Sequence, residues 1–405
     1  MFSSYRRRWA AADPDLRAFL FGILLLGVNQ GILNSTFNNY LSDVFRLSAA
    51  ARGALEFPRE LPGFLVLFVA GALAAFPMRA WAVLIGLLSA AGVAGLGFLS
   101  PDARTMTLWM LSWSMADHLF MPVESAVGLR MAKEGGKGRR LGQISGARNL
   151  AMILGAAVVW VFARGGGGAM YARLYLAAVL AALAASVLFA RMGPGIETPG
   201  TARRFVVRRE YALFYWLNVL FGARKQIFLT FAPWVLVTEF GASPRTMAAL
   251  FLCAAVLGVV FRQEFGVFVD RFGEKRMFYA DAAILLVICA GFALSRSVGL
   301  LYGLYILDNL MFATRIARTT YLDRILVERG DMAATLSLGI TLDHAVSMTV
   351  PALGGLLWSA YGYPAVFWAA SLLAAAVFFV ARQVDRQGPP KTLPAGRGMP
   401  ETSVD

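Results

Sequence analysis

The sequence is poor in charged residues, cysteine and histidine. Only 15% of its 405 residues are Asp, Glu, Lys or Arg, whereas about a quarter of a soluble domain is charged. Hydrophobic residues make up 58%, and the mean hydropathy is +0.62. These values exclude most soluble enzymes, and they exclude intrinsic disorder, which requires low hydrophobicity and high charge. Cys253 and Cys289 both lie in apolar runs, so neither a disulfide framework nor a cysteine metal site is indicated.

What the sequence does contain is a series of long apolar stretches. A helix needs about 20 apolar residues to cross a bilayer, so twelve helices need about 240 residues, and a chain of 405 leaves room for loops. The pattern predicts an all-α membrane protein with twelve membrane-spanning helices. Their expected positions are about 18–41, 49–76, 82–99, 105–131, 141–164, 171–192, 211–238, 245–269, 277–296, 299–325, 334–358 and 364–382.

The spacing of the spans divides the chain into two six-helix halves, joined by a basic linker and followed by a tail rich in Pro and Gly. The expected divisions are a cytoplasmic N-terminus (1–17), an N-terminal six-helix bundle (18–192), a cytoplasmic linker (193–210), a C-terminal six-helix bundle (211–383) and a disordered cytoplasmic tail (384–405).

The positive charge of the chain falls mainly on one side of the predicted spans. The net charge is +14, and with the N-terminus inside, 24 of the 38 Lys and Arg residues fall in inner segments, 7 in outer segments and 7 within spans. An excess of Lys and Arg in inner loops predicts that both termini are cytoplasmic, in a bacterial-type plasma (inner) membrane. The excess of positive charge is therefore explained by membrane topology. We expect the lipid bilayer as a partner and no binding of nucleic acid.

The two halves partly repeat each other in sequence. At a shift of 195 residues, Gly27 falls on Gly222 and Phe45 falls on Phe240. Two six-span halves joined by a basic linker are typical of transporters built from repeats.

One inner loop, after the eighth span, carries a motif that can be matched to a family. The segment GVFVDRFGEKR at residues 266–276 resembles the G-x-x-x-D-R-x-G-R-R loop of the major facilitator superfamily. The twelve spans, the inner linker and the two halves resemble that family as well, over nearly the whole chain. The matching loop of the first half, residues 71–79, departs from the pattern because it lacks the Asp and the Arg pair.

The resemblance implies two pseudo-symmetric six-helix bundles, function as a monomer, and secondary transport by alternating access. It implies that the first, fourth, seventh and tenth helices line a central cavity. It also implies a gate at Asp270 and Arg271, in which the aspartate pairs with a neighbouring helix end. The alternative is a turn with solvated charges.

Thirteen ionisable residues lie deep within the predicted spans. Each would cost about 3 kcal/mol near the bilayer centre, so thirteen unpaired groups would cost about 40 kcal/mol, far above the stability of about 5–15 kcal/mol of a folded protein. These groups must therefore pair or line a wet cavity. They are Arg59, Glu60, Asp117, Glu124, Arg148, Arg224, Lys225, Arg262, Glu264, Asp308, Arg315, Arg318 and Asp343.

The cations at mid-span are candidates for an anion site. Arg224 and Lys225 lie at the centre of the seventh span, and charge-assisted bonds to carboxylate or phosphate are strong. Arg59 lies between two prolines, where freed backbone carbonyls can bind a ligand. The expected substrate-binding residues are Arg59, Arg224, Lys225, Arg315, Gln30 and Asn34. The alternatives are static ion pairs, of Arg59 with Glu60 and of the seventh-span cations with Glu60 or Asp343.

Both histidines of the chain follow an aspartate inside a span, as Asp117-His118 and Asp343-His344. Histidine titrates near pH 6.5, and a nearby carboxylate raises that value. Transporters build proton relays from chains of Asp, Glu and His. The expected proton-coupling residues are Glu60, Asp117, His118, Asp343 and His344. The alternative is a buried neutral His bonded to a backbone carbonyl. We expect no metal site, because two His on different helices without a nearby Cys make a poor ligand set, and no cofactor.

A second gate can be read from the fourth span, where Asp117 and Glu124 share a helix face. A Glu124–Arg315 bridge would close one end of the cavity, and the alternative is a static bridge. The expected gating residues are Asp270, Arg271, Glu124 and Arg148.

These observations favour a proton-coupled secondary transporter for a small anionic or zwitterionic solute. An exporter of amphipathic or drug-like compounds by proton antiport is the alternative. An enzyme is not expected, because the chain has no Walker loop, no G-x-S-x-G and no H-E-x-x-H. A transporter-like receptor or a lipid scramblase would lack solute-driven proton flux.

Overall fold

A computed structural model describes residues 13–73, 77–132, 136–193, 206–328 and 330–384. The tail from residue 385, most of the N-terminal segment and residues 194–205 of the linker lie outside these ranges. The described residues form helices and no strand. The helices are α1 (Pro14–Asp43), α2a (Ala49–Ala54), α2b (Glu56–Leu73), α3 (Met78–Phe98), α4 (Ala103–Arg130), α5 (Lys137–Phe162), α6 (Gly168–Ala190), α7 (Ala212–Thr238), α8 (Pro244–Phe272), α9 (Glu274–Leu294), α10a (Val298–Met311), α10b (Arg315–Ile325), α11 (Asp331–Tyr361) and α12 (Tyr363–Ala381).

The prediction of an all-α, twelve-helix protein is confirmed, with two helices interrupted. The second helix breaks at Leu55, and the tenth contains a 3-10 turn at Phe312–Thr314. Eight of the described helices, α1, α3, α5, α6, α8, α9, α11 and α12, are long and apolar enough to cross a membrane. The other four carry nine of the thirteen ionisable residues named above, so the less apolar helices are those that hold the polar interior.

Short polar caps fix where several helices begin. Ser48 and Ser243 each accept a hydrogen bond from the backbone N–H three residues later. Asp102 forms a capping box with Thr105, whose backbone N–H lies 2.9 Å from the carboxylate. This hydrogen bond lowers the pKa of Asp102, because it stabilises the charged form.

Helices pack first within each half and then between the halves. In the N-terminal half α1 packs on α5 and α6, and α3 packs on α4 and α6; in the C-terminal half α9 packs on α12, and α7 packs on α11 and α12. The halves meet through α2 against α11 and α5 against α8, with α1 touching α7 and α8. The described parts of α3, α6, α9 and α12 make their main contacts inside their own half, so the surface between the halves belongs to the other helices.

Small residues allow the closest helix approaches. A Cβ on Gly31 of α1 would lie 2.4 Å from the carbonyl oxygen of Met152 on α5. A Cβ on Gly53 of α2a would lie 2.2 Å from the carbonyl oxygen of Pro351 on α11. The first contact is within the N-terminal half, and the second joins the two halves.

The halves are held together at the face opposite to the chain termini. There the side-chain amide of Asn39 donates to the carbonyl of Ala242 at 2.7 Å, and the Arg245 guanidinium lies 5.1 Å from the centre of the Trp160 ring. Near the face that carries the termini, Gln143 of α5 and Glu264 of α8 are exposed. The structure is therefore closed at the face away from the termini.

The C-terminal half also binds the end of the linker. Arg208 lies 2.5 Å from Glu328 and 2.7 Å from Asp331, and Tyr211 donates a hydrogen bond to Asp331 at 2.8 Å. The hydrogen bond to Glu328 raises the pKa of Arg208. These contacts fix the start of α7 against the start of α11.

Candidate functional site

A cavity of 370 Å³ lies between the halves and is bounded by α1, α2, α4, α5, α7, α8 and α10. The polar residues that line it are Asn34, Ser35, Asn38, Asn39, Arg52, Arg59, Asn149, Arg262, Tyr305 and Asn309. Three guanidinium groups are among them, and no described lining residue carries a carboxylate. The cavity therefore combines positive charge with amide groups that can both donate and accept hydrogen bonds.

Four charged residues on α2 form an ion-pair network beside the cavity: Arg52, Glu56, Arg59 and Glu60. Glu56 is fully buried, and its carboxylate lies 2.5 Å from Arg52 and 2.6 Å from Arg59. Gln226 of α7 donates to the same carboxylate at 2.7 Å, which links the network to the other half. Arg52 and Glu56 were not among the predicted site residues, although Glu56 lies four residues after Arg52 and three before Arg59, a spacing that brings charged side chains together on a helix.

Glu60 joins this network to both histidines of the chain. Its Oε1 lies 2.9 Å from Arg59, and its Oε2 lies 3.0 Å from Nδ1 of His344 and 3.8 Å from Nε2 of His118. His118 places its Nδ1 2.8 Å from the carbonyl oxygen of Ser114, which leaves Nε2 to face Glu60. Glu60 and His118 belong to one half and His344 to the other, so this cluster lies across the interface between the halves.

Gly63 makes room for the two imidazole rings, whose centres are 5.0 Å apart. A Cβ on Gly63 would lie 2.4 Å from Cδ2 of His118 and 2.6 Å from Nδ1 of His344. Glycine one turn after Glu60 is therefore what allows both rings to lie against α2b.

The same three side chains resemble a metal ligand set more closely than the sequence suggested. One ligand atom from each of Glu60, His118 and His344 lies within 4.8 Å of the others. However, the Arg59 guanidinium already pairs with Glu60 at 2.9 Å and supplies the positive charge beside the carboxylate. The arrangement is therefore complete as a hydrogen-bonded and ionic cluster.

The aspartates that precede the histidines have separate partners. The Gln30 side-chain amide donates a hydrogen bond to Asp117 at 2.9 Å. Gln30 does not line the cavity, whereas Asn34, the other predicted polar residue of α1, does. Lys225 lies 2.6 Å from Asp343. Lys225 was predicted to bind the solute, with a static ion pair to Asp343 as the alternative. In this conformation it forms that ion pair.

Arg224 differs from its expected place. Its side chain is 1% exposed and lies between Asp281 at 3.2 Å and Asp308 at 3.0 Å, all within the C-terminal half. The guanidinium is enclosed by carboxylates, so in this conformation it does not contact the cavity. Asp281 was missed, because a single aspartate near the start of the ninth span gave no sign that it would meet the seventh.

The expected Glu124–Arg315 bridge is absent from this conformation. Glu124 instead lies 2.8 Å from Arg148 of α5. Arg315 is exposed, and no described carboxylate pairs with it. The neighbouring Arg318 is buried, donates to Asn218 at 2.8 Å and stacks on Phe221 with its Cζ 3.5 Å from the ring centre.

The loop between α8 and α9 also differs from the arrangement that the motif implies. Asp270 and Arg271 are exposed, and within the described residues Asp270 has no ion pair or hydrogen bond to a neighbouring helix. Glu274, four residues after Asp270, lies 3.3 Å from Arg324 at the end of α10b. In this conformation Glu274 makes the contact to a helix end that was expected of Asp270.

Comparison with known proteins identifies proteins of the same architecture. Residues 214–403 match the family model described as Major Facilitator Superfamily. The structure of the nucleoside transporter NupG matches with a TM-score of 0.71 at 15% identity, covering 93% of this chain and 99% of that one. A bacterial homolog to the human lysosomal transporter Spinster gives 0.67 at 13%, covering 93% and 98%. The D-xylose–proton symporter gives 0.66 at 17%, covering 94% and 99%. None of the curated proteins compared with the chain matches it.

The family match confirms the resemblance that was read from the loop at residues 266–276, which lies inside the matched region. The solved structures, at 13–17% identity, show the same fold over more than nine-tenths of the chain. The prediction of a multi-pass membrane transporter rather than an enzyme is thereby confirmed. Residues 214–403, just under half of the chain, thus match the Major Facilitator Superfamily, and the chain as a whole shares the fold of the solved transporters.

Proposed function

We propose that this protein is a secondary active transporter that moves a small anionic or zwitterionic solute by alternating access, coupled to protons. The observation that carries the proposal is the lining of the cavity between the halves. Arg52, Arg59 and Arg262 line it, and no described lining residue has a carboxylate. Such a site attracts carboxylate or phosphate groups because guanidinium binds both in charge-assisted, often bidentate, hydrogen bonds.

Two of these cations are suited to contact the solute. The Arg59 side chain is 22% exposed, whereas that of Arg52 is 3% exposed and is held by Glu56. Arg262 is exposed, and no described carboxylate pairs with it. Asn34 adds hydrogen bonds, and Arg315 adds positive charge one turn beyond Phe312, which also lines the cavity.

Arg59 connects the cavity to the Glu60–His118–His344 cluster. A solute anion that draws Arg59 into the cavity weakens the Arg59–Glu60 pair, and a proton on the cluster then replaces the lost positive charge. Asp117 and Asp343, which precede the two histidines, receive or release that proton. Proton coupling in this form requires solute and proton to bind together.

The proposal is tested with proteoliposomes that contain a pH-sensitive dye. A panel of organic acids, phosphorylated metabolites, amino acids, amines and hydrophobic cations is added outside. The expected result is that an anionic or zwitterionic solute moves protons in step with its own uptake. Solute uptake without proton movement contradicts the coupling, and transport of hydrophobic cations alone contradicts the anion site.

Two variants separate the solute site from the proton site. Arg262→Gln removes a cavity charge without unpairing any described carboxylate, and we expect KM to rise at least tenfold. His344→Asn keeps a side-chain N–H toward Glu60 but cannot titrate, so we expect solute binding to remain and the pH dependence of transport to disappear. Arg173→Gln, an exposed change on α6 outside the cavity lining, is the matched control.

A second candidate, export of amphipathic or drug-like compounds by proton antiport, is favoured by one observation. Apart from Arg262, the cavity wall formed by α7 and α8 is apolar, with Leu229, Phe251 and Val259 among its residues. The same liposomes distinguish the two candidates, because antiport moves protons opposite to the solute and symport moves them with it.

We also propose that both termini are cytoplasmic, that the membrane is a bacterial-type plasma membrane and that the protein works as a monomer. The Lys and Arg distribution supports the orientation. Protease access to a C-terminal tag in inside-out vesicles, but not in right-side-out vesicles, is the expected outcome.

A further inference from the structure

The two walls of the inter-half cavity differ in polarity. On the wall from the N-terminal half, Asn34, Asn38, Asn149 and the two α2 arginines line the cavity. On the wall from α7 and α8, the lining residues are apolar except for Arg262. Tyr305 and Asn309 of α10 add polar groups from the C-terminal half. The cavity is therefore polar and positive along α1, α2 and α5 and largely apolar along α7 and α8.

Three polar groups on lining residues have no hydrogen-bond partner among the described residues. They are Oγ of Ser35, Oδ1 of Asn39 and Nε1 of Trp113, and the residues are 4%, 2% and 3% exposed. Ser35 and Asn39 are four apart on α1 and share a face, and the Trp113 ring packs against Phe37 of the same helix at 5.4 Å. Because buried polar groups are nearly always hydrogen-bonded, these three groups call for a partner that the described residues do not supply.

The unmet groups define what that partner must offer. The Trp113 indole can only donate, so it requires an acceptor, and the Asn39 oxygen can only accept, so it requires a donor such as a hydroxyl. Arg262, which pairs with no described carboxylate, requires a negative group. Arg59 already pairs with Glu56 and Glu60, and its exposed part can add a hydrogen bond to the same group. An ammonium group would find no described carboxylate in the lining, because Glu56 is fully buried behind Arg52 and Arg59.

We infer that the solute is an amphipathic hydroxy acid: an organic monoanion with one apolar side and a hydroxyl near the carboxylate. The carboxylate contacts the arginines, and the apolar part packs on Met247 and Phe251 of α8. The hydroxyl contacts the unpartnered groups of Ser35, Asn39 and Trp113. This inference rests on the proposed anion site and narrows the class of solute. It favours an anion over a zwitterion and a solute with an apolar body over one with a polar body.

The test is a binding titration of the purified full-length protein with five matched compounds. They are 2-hydroxy-4-methylpentanoate, lactate, 4-methylpentanoate, leucine and 2-hydroxy-4-methylpentanamide. Lactate lacks the apolar body, 4-methylpentanoate lacks the hydroxyl, leucine has an ammonium in place of the hydroxyl, and the amide lacks the charge. Calorimetry or quenching of tryptophan fluorescence gives each Kd.

The expected result is that 2-hydroxy-4-methylpentanoate binds tightest. Lactate should bind at least tenfold more weakly, since each buried methylene changes the affinity about three- to fourfold. The amide and leucine should each be at least tenfold weaker, and the acid without a hydroxyl should be weaker by about fivefold. If the hydroxy acid shows no binding to folded protein, the inference is overturned.

The outcomes also distinguish this inference from the proposed function. If lactate binds as tightly as the longer hydroxy acid, or leucine binds tighter, the hydroxy-acid inference fails while the anion site stands. If the neutral amide binds as tightly as the acid, the anion site itself fails.

Variants of the two walls give a second readout. Phe251→Ala should weaken 2-hydroxy-4-methylpentanoate at least fivefold and leave lactate nearly unchanged, whereas Leu257→Ala, on the exposed side of the same helix, should change neither. Trp113→Phe removes the indole N–H and keeps the ring, so it should reduce the difference between the acids with and without the hydroxyl. Equal effects of Phe251→Ala on both acids would show that the apolar wall does not select the solute.

Discussion

Arg59 and Arg224 are both mid-span arginines, yet their surroundings differ. Arg59 pairs with Glu56, which also binds Arg52, and with Glu60, which also binds His344. Its side chain is 22% exposed and lines the cavity. Arg224 is 1% exposed between two aspartates. Because the Arg224 guanidinium is buried, a solute can reach it only by displacing an aspartate, and breaking such a pair leaves an uncompensated charge. Each arginine pairs with two carboxylates, so exposure, rather than pairing or depth in the span, distinguishes the one that can bind a solute.

Gly63 provides a sharp test of the histidine cluster at the level of a single residue. Gly63→Ala would place a methyl group 2.4 Å from His118 and 2.6 Å from His344, so one or both rings must move away from Glu60. We expect a loss of about 1–3 kcal/mol in stability, which is typical of overpacking, and a marked loss of solute-driven proton flux. Thermal unfolding and the liposome dye assay measure the two effects.

The control for this substitution is Gly142→Ala on α5. A Cβ at Gly142 meets no atom within 4 Å, and alanine is the better helix former. Its stability should be unchanged or slightly higher, with normal proton flux. Normal proton flux in the Gly63 variant would show that coupling does not need the two rings against α2b.

At the level of helices, the number and positions of the spans could be predicted from the sequence, because both depend on local hydrophobic pattern. Runs of about 20 apolar residues indicated all twelve helices, because span length is set by bilayer thickness. The break at Leu55 lies beside Pro58 and Pro62 and could have been anticipated, but the 3-10 turn at Phe312–Thr314 contains no proline and has no such signal. Local pattern thus predicts the helices better than their interruptions.

The partners of charged residues were largely beyond sequence reasoning. The Lys225–Asp343 pair was foreseen as an alternative, whereas Arg224 was not expected to lie beside Asp281 of α9. Such pairs depend on which helices become neighbours and on the rotation of each helix about its axis. A single sequence shows neither the neighbours of a helix nor its rotation. It therefore indicates which residues must pair but not with which partners.

Two glycine contacts should respond differently to the same change, because one lies between the halves and the other within a half. Gly53→Ala would push α2a away from Pro351 of α11, while Gly31→Ala would push α1 away from Met152 of α5. The halves must separate at the first contact in alternating access but never at the second. We expect Gly31→Ala to lower the melting temperature clearly. Gly53→Ala should mainly shift the protein toward the state open at the face away from the termini.

Labelling measures that shift. A single cysteine introduced at Asn38, in a background without Cys253 and Cys289, should react faster with a membrane-impermeant thiol reagent in the Gly53→Ala variant than in the Gly31→Ala variant. Equal labelling rates with equal losses of stability would show that both contacts are static packing.

For the whole molecule, the proposed alternating access requires contacts between the halves to break. The cavity is bounded by both halves, and α2, α5, α8 and α11 form the surface along which they meet. At the face away from the termini, Asn39 with Ala242 and Arg245 with Trp160 hold the halves together. A solute can pass to that face only if these contacts break, so holding them together should stop transport without preventing binding.

A cleavable thiol cross-linker tests this requirement. Trp160→Cys and Arg245→Cys are combined in a chain whose two native cysteines are replaced, and the pair is joined by a short methanethiosulfonate reagent. We expect transport to stop, solute binding from the face of the termini to persist and reduction to restore transport. The matched control joins Arg296→Cys to Tyr363→Cys, since those residues hydrogen-bond at 2.8 Å within the C-terminal half. Because the proposed mechanism moves that half as one body, the control should transport normally when cross-linked. If the Trp160–Arg245 link left transport intact, this face would not open by separation of α5 from α8, and the solute would need another path.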